Sequence, residues 1–160
     1  MKTIIHILFI AVLAFQIGCG NDPGRPQDLP KLYPVNITVT QEGNPLEGAT
    51  VTLKSKEAVK YAVCSGTTNA AGVAVLLTYG YAGAPLGQYA VMIDKTGVEG
   101  AKEAINEEGL SYETGGAIYR YVDAQYWLES TPLSIDVTEK GAKETFDVGK
   151  PVRVFVSNNN

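Results

Sequence analysis

A strict alternation of apolar and polar residues sets in at Val35. Val35, Ile37 and Val39 alternate with Asn36, Thr38 and Thr40, and after the turn-forming Glu42-Gly43-Asn44-Pro45 a second run sets Ala49, Val51 and Leu53 on one side. A period of two sends successive side chains to opposite faces of a strand, so each run buries one face and wets the other. Lys60 to Ser65 and Gly72 to Thr78 predict two more strands around a loop from Gly66 to Ala71, and Gln88 to Asp94 predicts a fifth with Tyr89, Val91 and Ile93 inward. Further on, Leu133, Ile135 and Val137 alternate with Ser134, Asp136 and Thr138, and the tail carries Phe146, Val148, Val152, Val154 and Phe155. About seven short strands with turns between them describe an all-β fold, two antiparallel sheets stacked as a sandwich.

Residues 96–128 break this rhythm. Val98, Ala101, Ala104 and Ile105, with charges between them, fit a short helix ended by Gly109. The stretch from Leu110 to Trp127 has no single period and reads with that helix as an insertion between the fifth and sixth strands. It concentrates aromatic area in Tyr112, Tyr119, Tyr121, Tyr126 and Trp127, the candidate binding surface. Such rings stack on sugars or anchor a protein partner; they also serve simply to fill a sheet face or cap the end of a sandwich.

The N-terminus carries an address. Lys2 precedes an apolar run of 14 residues, Ile4 to Ile17, interrupted only by His6 and Gln16 and followed by Gly18 and Cys19. A membrane-spanning helix wants roughly 18 or more apolar residues, so this profile is that of a cleaved signal peptide over residues 1–18. Phe15-Gln16-Ile17-Gly18-Cys19 resembles the cleavage box of bacterial lipoproteins, with Gln16 where that family usually has Leu. The resemblance implies that Cys19 becomes the new N-terminus and carries a diacylglycerol that holds the protein on a membrane. Gly20 in place of an inner-membrane retention Asp implies the outer membrane. A plain secretory signal is the alternative, and it would leave Cys19 able to pair with Cys64. Residues 19–34 hold four prolines and predict an extended, semi-rigid tether. The alternative there is an arm packed on the domain through Leu29, Leu32 and Tyr33.

Losing 18 of 160 residues leaves 142, with 12 Lys and Arg against 17 Asp and Glu, a net charge of −5. That balance offers no basic patch for nucleic acid. It also removes His6, the only histidine. A mature chain without imidazole has no base for a serine or cysteine triad and no nitrogen ligand for zinc. Cys64 reads as a small buried hydrophobe. The scattered acids Asp94, Asp123 and Asp136 make no calcium loop, so no cofactor or metal is expected. Glu99, Glu103, Glu107 and Glu108 read as solvated charges rather than as a catalytic pair.

Three segments carry a second resemblance. Gly43 to Val51, Thr67 to Ala74 and Ala84 to Val91 are similar, in order and spacing, to the turn-and-strand signatures of carboxypeptidase-regulatory-like, transthyretin-like β-sandwich domains of secreted bacterial proteins. In the second segment Asn69 stands where the family usually has Asp, and the third resembles its Pro-x-Gly-x-Tyr-x-Val entry into a core strand. The resemblance implies a transthyretin-like sandwich over residues 35–157 and carries little chemistry, since these residues make turns and fill the core. The histidines of hydroxyisourate hydrolases and the Tyr and His iron ligands of intradiol dioxygenases, built on similar sandwiches, have no counterpart here. Related adhesin domains form Lys–Asn isopeptide crosslinks, but the first strand lacks Lys and the last strands lack Asn before Asn158. The expectation is a lipid-anchored, non-enzymatic protein of the cell envelope, a recognition or structural module whose partner is an envelope protein or a glycan.

Overall fold

The computed structural model describes residues 24–57 and 60–158. In chain order the strands are β1 (Val35–Gln41), β2 (Asn44–Pro45), β3 (Thr50–Ser55), β4 (Val63–Thr67), β5 (Val73–Val75), β6 (Leu77–Thr78), β7 (Tyr81–Ala82) and β8 (Gly87–Asp94). They continue with β9 (Thr96–Glu99), β10 (Lys102–Ile105), β11 (Ser111–Thr114) and β12 (Ala117–Arg120). After the helix α1 (Ala124–Trp127) come β13 (Ser134–Val137), β14 (Ala142–Asp147) and β15 (Val154–Asn158).

The fold is a β-sandwich. One sheet has β1 at its centre, flanked by β14 in parallel and by β2 and β5 in antiparallel pairing. The other runs β13-β8-β3-β4-β6-β7. Their inner faces meet in one cluster that holds Val35, Ile37 and Val39 from β1, Val51 and Leu53 from β3, and Tyr89, Val91 and Ile93 from β8. These are the alternating residues of the sequence, and each Val, Leu or Ile fully buried this way contributes roughly 1.5–3 kcal/mol. Cys64 is buried in the same cluster, where desolvation pushes its thiol up and the Thr78 hydroxyl only partly opposes that. An unreactive thiol follows.

The turn motifs have local physical causes. Glu42 and Gly43, at φ 50° and 79°, make the tight hairpin turn between β1 and β2, a conformation that matches strand twist. Asn69 Oδ1 accepts from the backbone N–H of Ala71 at 2.9 Å and of Val73 at 3.1 Å, which explains why Asn serves as well as Asp there. Tyr89 enters the core ring-first, and its hydroxyl donates to the Pro85 carbonyl at 3.0 Å. Thr68 is a buried polar link. The Ala49 N–H donates to its Oγ1 at 2.8 Å and that hydroxyl donates to the Leu46 carbonyl at 2.6 Å. Thr68→Val keeps the shape and orphans both backbone groups, so it is expected to cost about 1–3 kcal/mol, read as a lower urea midpoint with an unchanged slope.

The segment Gly72 to Thr78 is not one strand. β5 belongs to the β1 sheet and β6 to the other, and the chain changes layer at the buried Leu76. The tail departs too. β14 closes the β1 sheet, but β15 leaves the sandwich, about half exposed, and pairs with β12. At the N-terminal side Leu29 and Tyr33 are buried, and Tyr33 forms a bridge with Ala84. The proline-rich segment therefore ends as an arm packed on the domain.

The helix expected over residues 98–109 is replaced by a β-ribbon. β9 pairs with β12 and β10 with β11 in a single continuing register, from Thr96 opposite Arg120 to Ile105 opposite Ser111. Gly100, Gly115 and Gly116, all at positive φ, interrupt the ladder midway. The spacing of Val98, Ala101 and Ile105 fits a helix, but residues 111–120 are rich in strand formers and supply the partner that settles the competition.

Register fixes a polarity. Thr50 stands beside Asp94 and Thr67 at one end of the large sheet, and Lys54 beside Val63 and Ser55 beside Tyr89 at the other. The ribbon leaves from the first end. The arm, through Asp28 and Tyr61, is fastened at the second.

Candidate functional site

The outward side chains of β3 and β8, Thr50, Thr52, Met92 and Asp94, alternate with the core residues and form a mixed floor of two hydroxyls, a thioether and a carboxylate. With Trp127 as a wall, these four line an open groove of about 290 Å³. Trp127 stands there because α1 begins on Asp123, whose carboxylate caps the helix by accepting from the Gln125 N–H at 3.0 Å. The following loop is fastened where Thr131 Oγ1 donates to the Val91 carbonyl at 3.0 Å.

Arg120 joins the parts. Its Nε donates to Asp94 Oδ1 at 2.7 Å and its Nη2 to Asp94 Oδ2 at 3.0 Å, a two-pronged pair that is only partly exposed. The same guanidinium lies 3.8 Å from the centre of the Trp127 ring. Planar stacking and a fork of donors are what arginine offers and lysine does not. The indole is thereby held with the groove beside it, and Asp94, bound on both oxygens, is engaged rather than poised as a free acid or base.

The five sequence-nominated aromatics fall into separate places. Trp127 lines the groove, while its neighbour Tyr126 packs against the core cluster. Tyr119 and Tyr121 flank Arg120 and, by strand alternation, lie on the opposite ribbon face. There Arg153 stacks 3.6 Å from the Tyr119 ring, and Phe155 meets that ring edge-on at 6.0 Å. The Tyr121 hydroxyl donates to Glu99 Oε1 at 2.7 Å, and Arg153 Nη2 donates to Glu99 Oε2 at 2.8 Å. Arg153, with the Tyr121 phenol adding to it, holds the Glu99 carboxyl below its ordinary range, and Glu99 in turn raises the Tyr121 phenol. These groups satisfy one another. Tyr112 stands apart on β11, exposed with Ile105 and Leu110 at the ribbon tip. Cys19 lies outside the described residues.

Sequence reasoning named Trp127 and missed Thr50, Thr52, Met92, Asp94 and Arg120. The available signal was their place as outward members of alternating strands, with Arg120 set between two tyrosines.

No protein-family model matches the chain, and no curated protein matches it. Among solved structures it is similar to a variant of BcpA, the major pilin subunit of Bacillus cereus, with a TM-score of 0.41 and 18% identity over 82% of this chain. The match covers 31% of the pilin, so the chain spans less than a third of that protein's length.

Proposed function

We propose that this protein is a lipid-anchored, non-enzymatic recognition module of the bacterial cell envelope, a transthyretin-like domain that holds a glycan in the Trp127 groove. One observation carries the reading: an indole fixed by Arg120 walls a floor of two hydroxyls, the Met92 thioether and a carboxylate. A sugar ring has an apolar face of C–H groups and an edge of hydroxyls. The first suits an aromatic plane and the second suits Thr50, Thr52 and Asp94. The engaged state of Asp94 supports a binding role over a catalytic one. The groove also opens at the end of the sheet opposite the arm that leads back to Cys19, which suits a site presented away from an anchoring membrane. The proposed anchor in the outer membrane rests on the resemblance of residues 15–19 to the lipoprotein box and on Gly20.

The full chain and its Trp127→Ala and Tyr112→Ala variants are to be compared on an array of bacterial and host glycans. Trp127→Ala is expected to lose about tenfold or more in apparent affinity, the size of effect a central aromatic anchor has. Tyr112→Ala is expected to bind as the parent does. Equal binding by all three, with melting temperatures unchanged, rejects the groove.

A further inference from the structure

Gly24, where the described residues begin, follows Cys19 by five positions. An extended chain reaches at most about 3.6 Å per residue, so this segment spans no more than about 18 Å. On the proposed reading that Cys19 carries lipid, Gly24 stays within that distance of the bilayer. Because Arg25 next to it already lies against the Tyr81 ring, the end of the sandwich where the arm is fastened is held near the membrane, and its side chains determine what the contact is.

They form one connected, amphipathic set. The Arg25 guanidinium lies 5.3 Å from the centre of the Tyr81 ring, and the Lys60 ammonium lies 5.2 Å from that of Tyr61. Tyr61 meets Tyr79 edge-on at 6.0 Å, and Tyr79, in the turn between β6 and β7, is 72% exposed. The nearby carboxylate, Asp28, is engaged by Lys60 and by the Tyr61 hydroxyl at 2.7 Å. Tyrosine rings with a polar tip, beside Lys and Arg whose stems lie along apolar surface, are the side chains that settle at headgroup depth. With Asp28 set against Arg25 and Lys60 this face keeps a net charge of +1 on a mature chain that is otherwise acidic, the sign that an anionic bilayer attracts.

We infer that the face formed by Arg25, Lys60, Tyr61, Tyr79 and Tyr81 rests on the anionic headgroups of the membrane that holds Cys19. The sandwich then stands on the bilayer in a fixed orientation, with the Trp127 groove and the ribbon at the far end.

The test uses full-length protein processed in the envelope and reconstituted into vesicles of phosphatidylglycerol and phosphatidylethanolamine. Nitroxide labels are placed through Tyr79→Cys or, on the ribbon tip, Leu110→Cys; the native Cys64 is buried. Flotation reports the anchor, and collision with oxygen or with a water-soluble nickel complex reports the depth of the label. The expected result is flotation with both labels, headgroup-like collision rates at position 79 and water-like rates at position 110. The shift at 79 is expected to disappear when Arg25 and Lys60 are both changed to Glu while flotation persists. Flotation with a water-like label at 79 overturns this inference and leaves the anchor standing. Failure to float removes the anchor and the inference together.

Discussion

Replacing Gly72 with alanine is expected to destabilise the sandwich by roughly 2–5 kcal/mol, combining the cost of a left-handed backbone with that of a forced close contact. Gly72 sits at φ +73°, and a Cβ there would come 2.5 Å from the Val39 carbonyl oxygen and 3.2 Å from the Leu46 nitrogen. All of these neighbours are backbone. The Gly72 carbonyl also accepts from the Val39 N–H at 2.8 Å, so relief by displacement breaks the pairing that holds the loop to β1. Gly43 supplies the control, since it has φ +79° with nothing within 4 Å of the added carbon. Gly43→Ala is expected to cost only the conformational part, about 1–2 kcal/mol. Urea titration of both variants separates the two contributions. Equal losses would show that the approach to Val39 imposes no constraint.

Alkaline pH is the second large lever. Tyr89 is 1% exposed, and burial pushes its phenol from the ordinary 10.0 up to about 12. In the folded state the ring keeps its proton to a higher pH than in the unfolded chain. The unfolded state therefore releases a proton first, and stability falls as pH rises from about 10 to about 12; below 10 both states are protonated and this group makes no slope. The loss amounts to about 2–3 kcal/mol across that window. Tyr89→Phe is expected to forfeit about 1 kcal/mol near neutrality, because the Pro85 carbonyl loses its donor, and to flatten most of the alkaline decline. A shallow slope remains from Cys64, whose thiol burial raises, and from Tyr61, Lys60 and Tyr121, which Asp28 and Glu99 hold up at the surface. Chemical denaturation of parent and variant at pH 8 to 12 measures it. An unaltered alkaline slope in Tyr89→Phe would mean that the ring is not buried as described.

The strands at Val35–Gln41, Thr50–Ser55, Gly87–Asp94 and Ser134–Val137 were legible because each buries one face only, which imprints a period of two on the chain. The ribbon of residues 96–120 was not, because it buries little. Its β9–β11 positions are chosen by their cross-strand partners and by Gly100, Gly115 and Gly116, and no apolar face is left to mark the period. The change of layer at Leu76 escaped for another reason: Val73 to Leu77 is an unbroken apolar run, which gives no sign of which sheet each residue pairs with. Trp127 was visible as a bulky aromatic in an irregular stretch. Its companions were not, because the juxtaposition of Thr50 with Asp94, and of Arg120 with both Asp94 and Trp127, is created by pairing between segments far apart in sequence. The same distance scattered the aromatic group: neighbours in the chain, Tyr119, Arg120 and Tyr121, serve opposite faces.

The parallel pairing of β1 with β14 joins Val35–Thr40 to Ala142–Asp147, and Thr40 Oγ1 donates to Asp147 Oδ2 at 2.8 Å. β1 thus waits for a partner whose Asp147 lies 107 residues along the chain from Thr40. Closure on so distant a partner carries a large loop-entropy cost before any contact rewards it, and such topologies fold slowly. In a polypeptide made from its N-terminus the β1 sheet therefore stays incomplete until Asp147 has emerged, leaving Val35, Ile37 and Val39 as a sticky, half-paired surface until then.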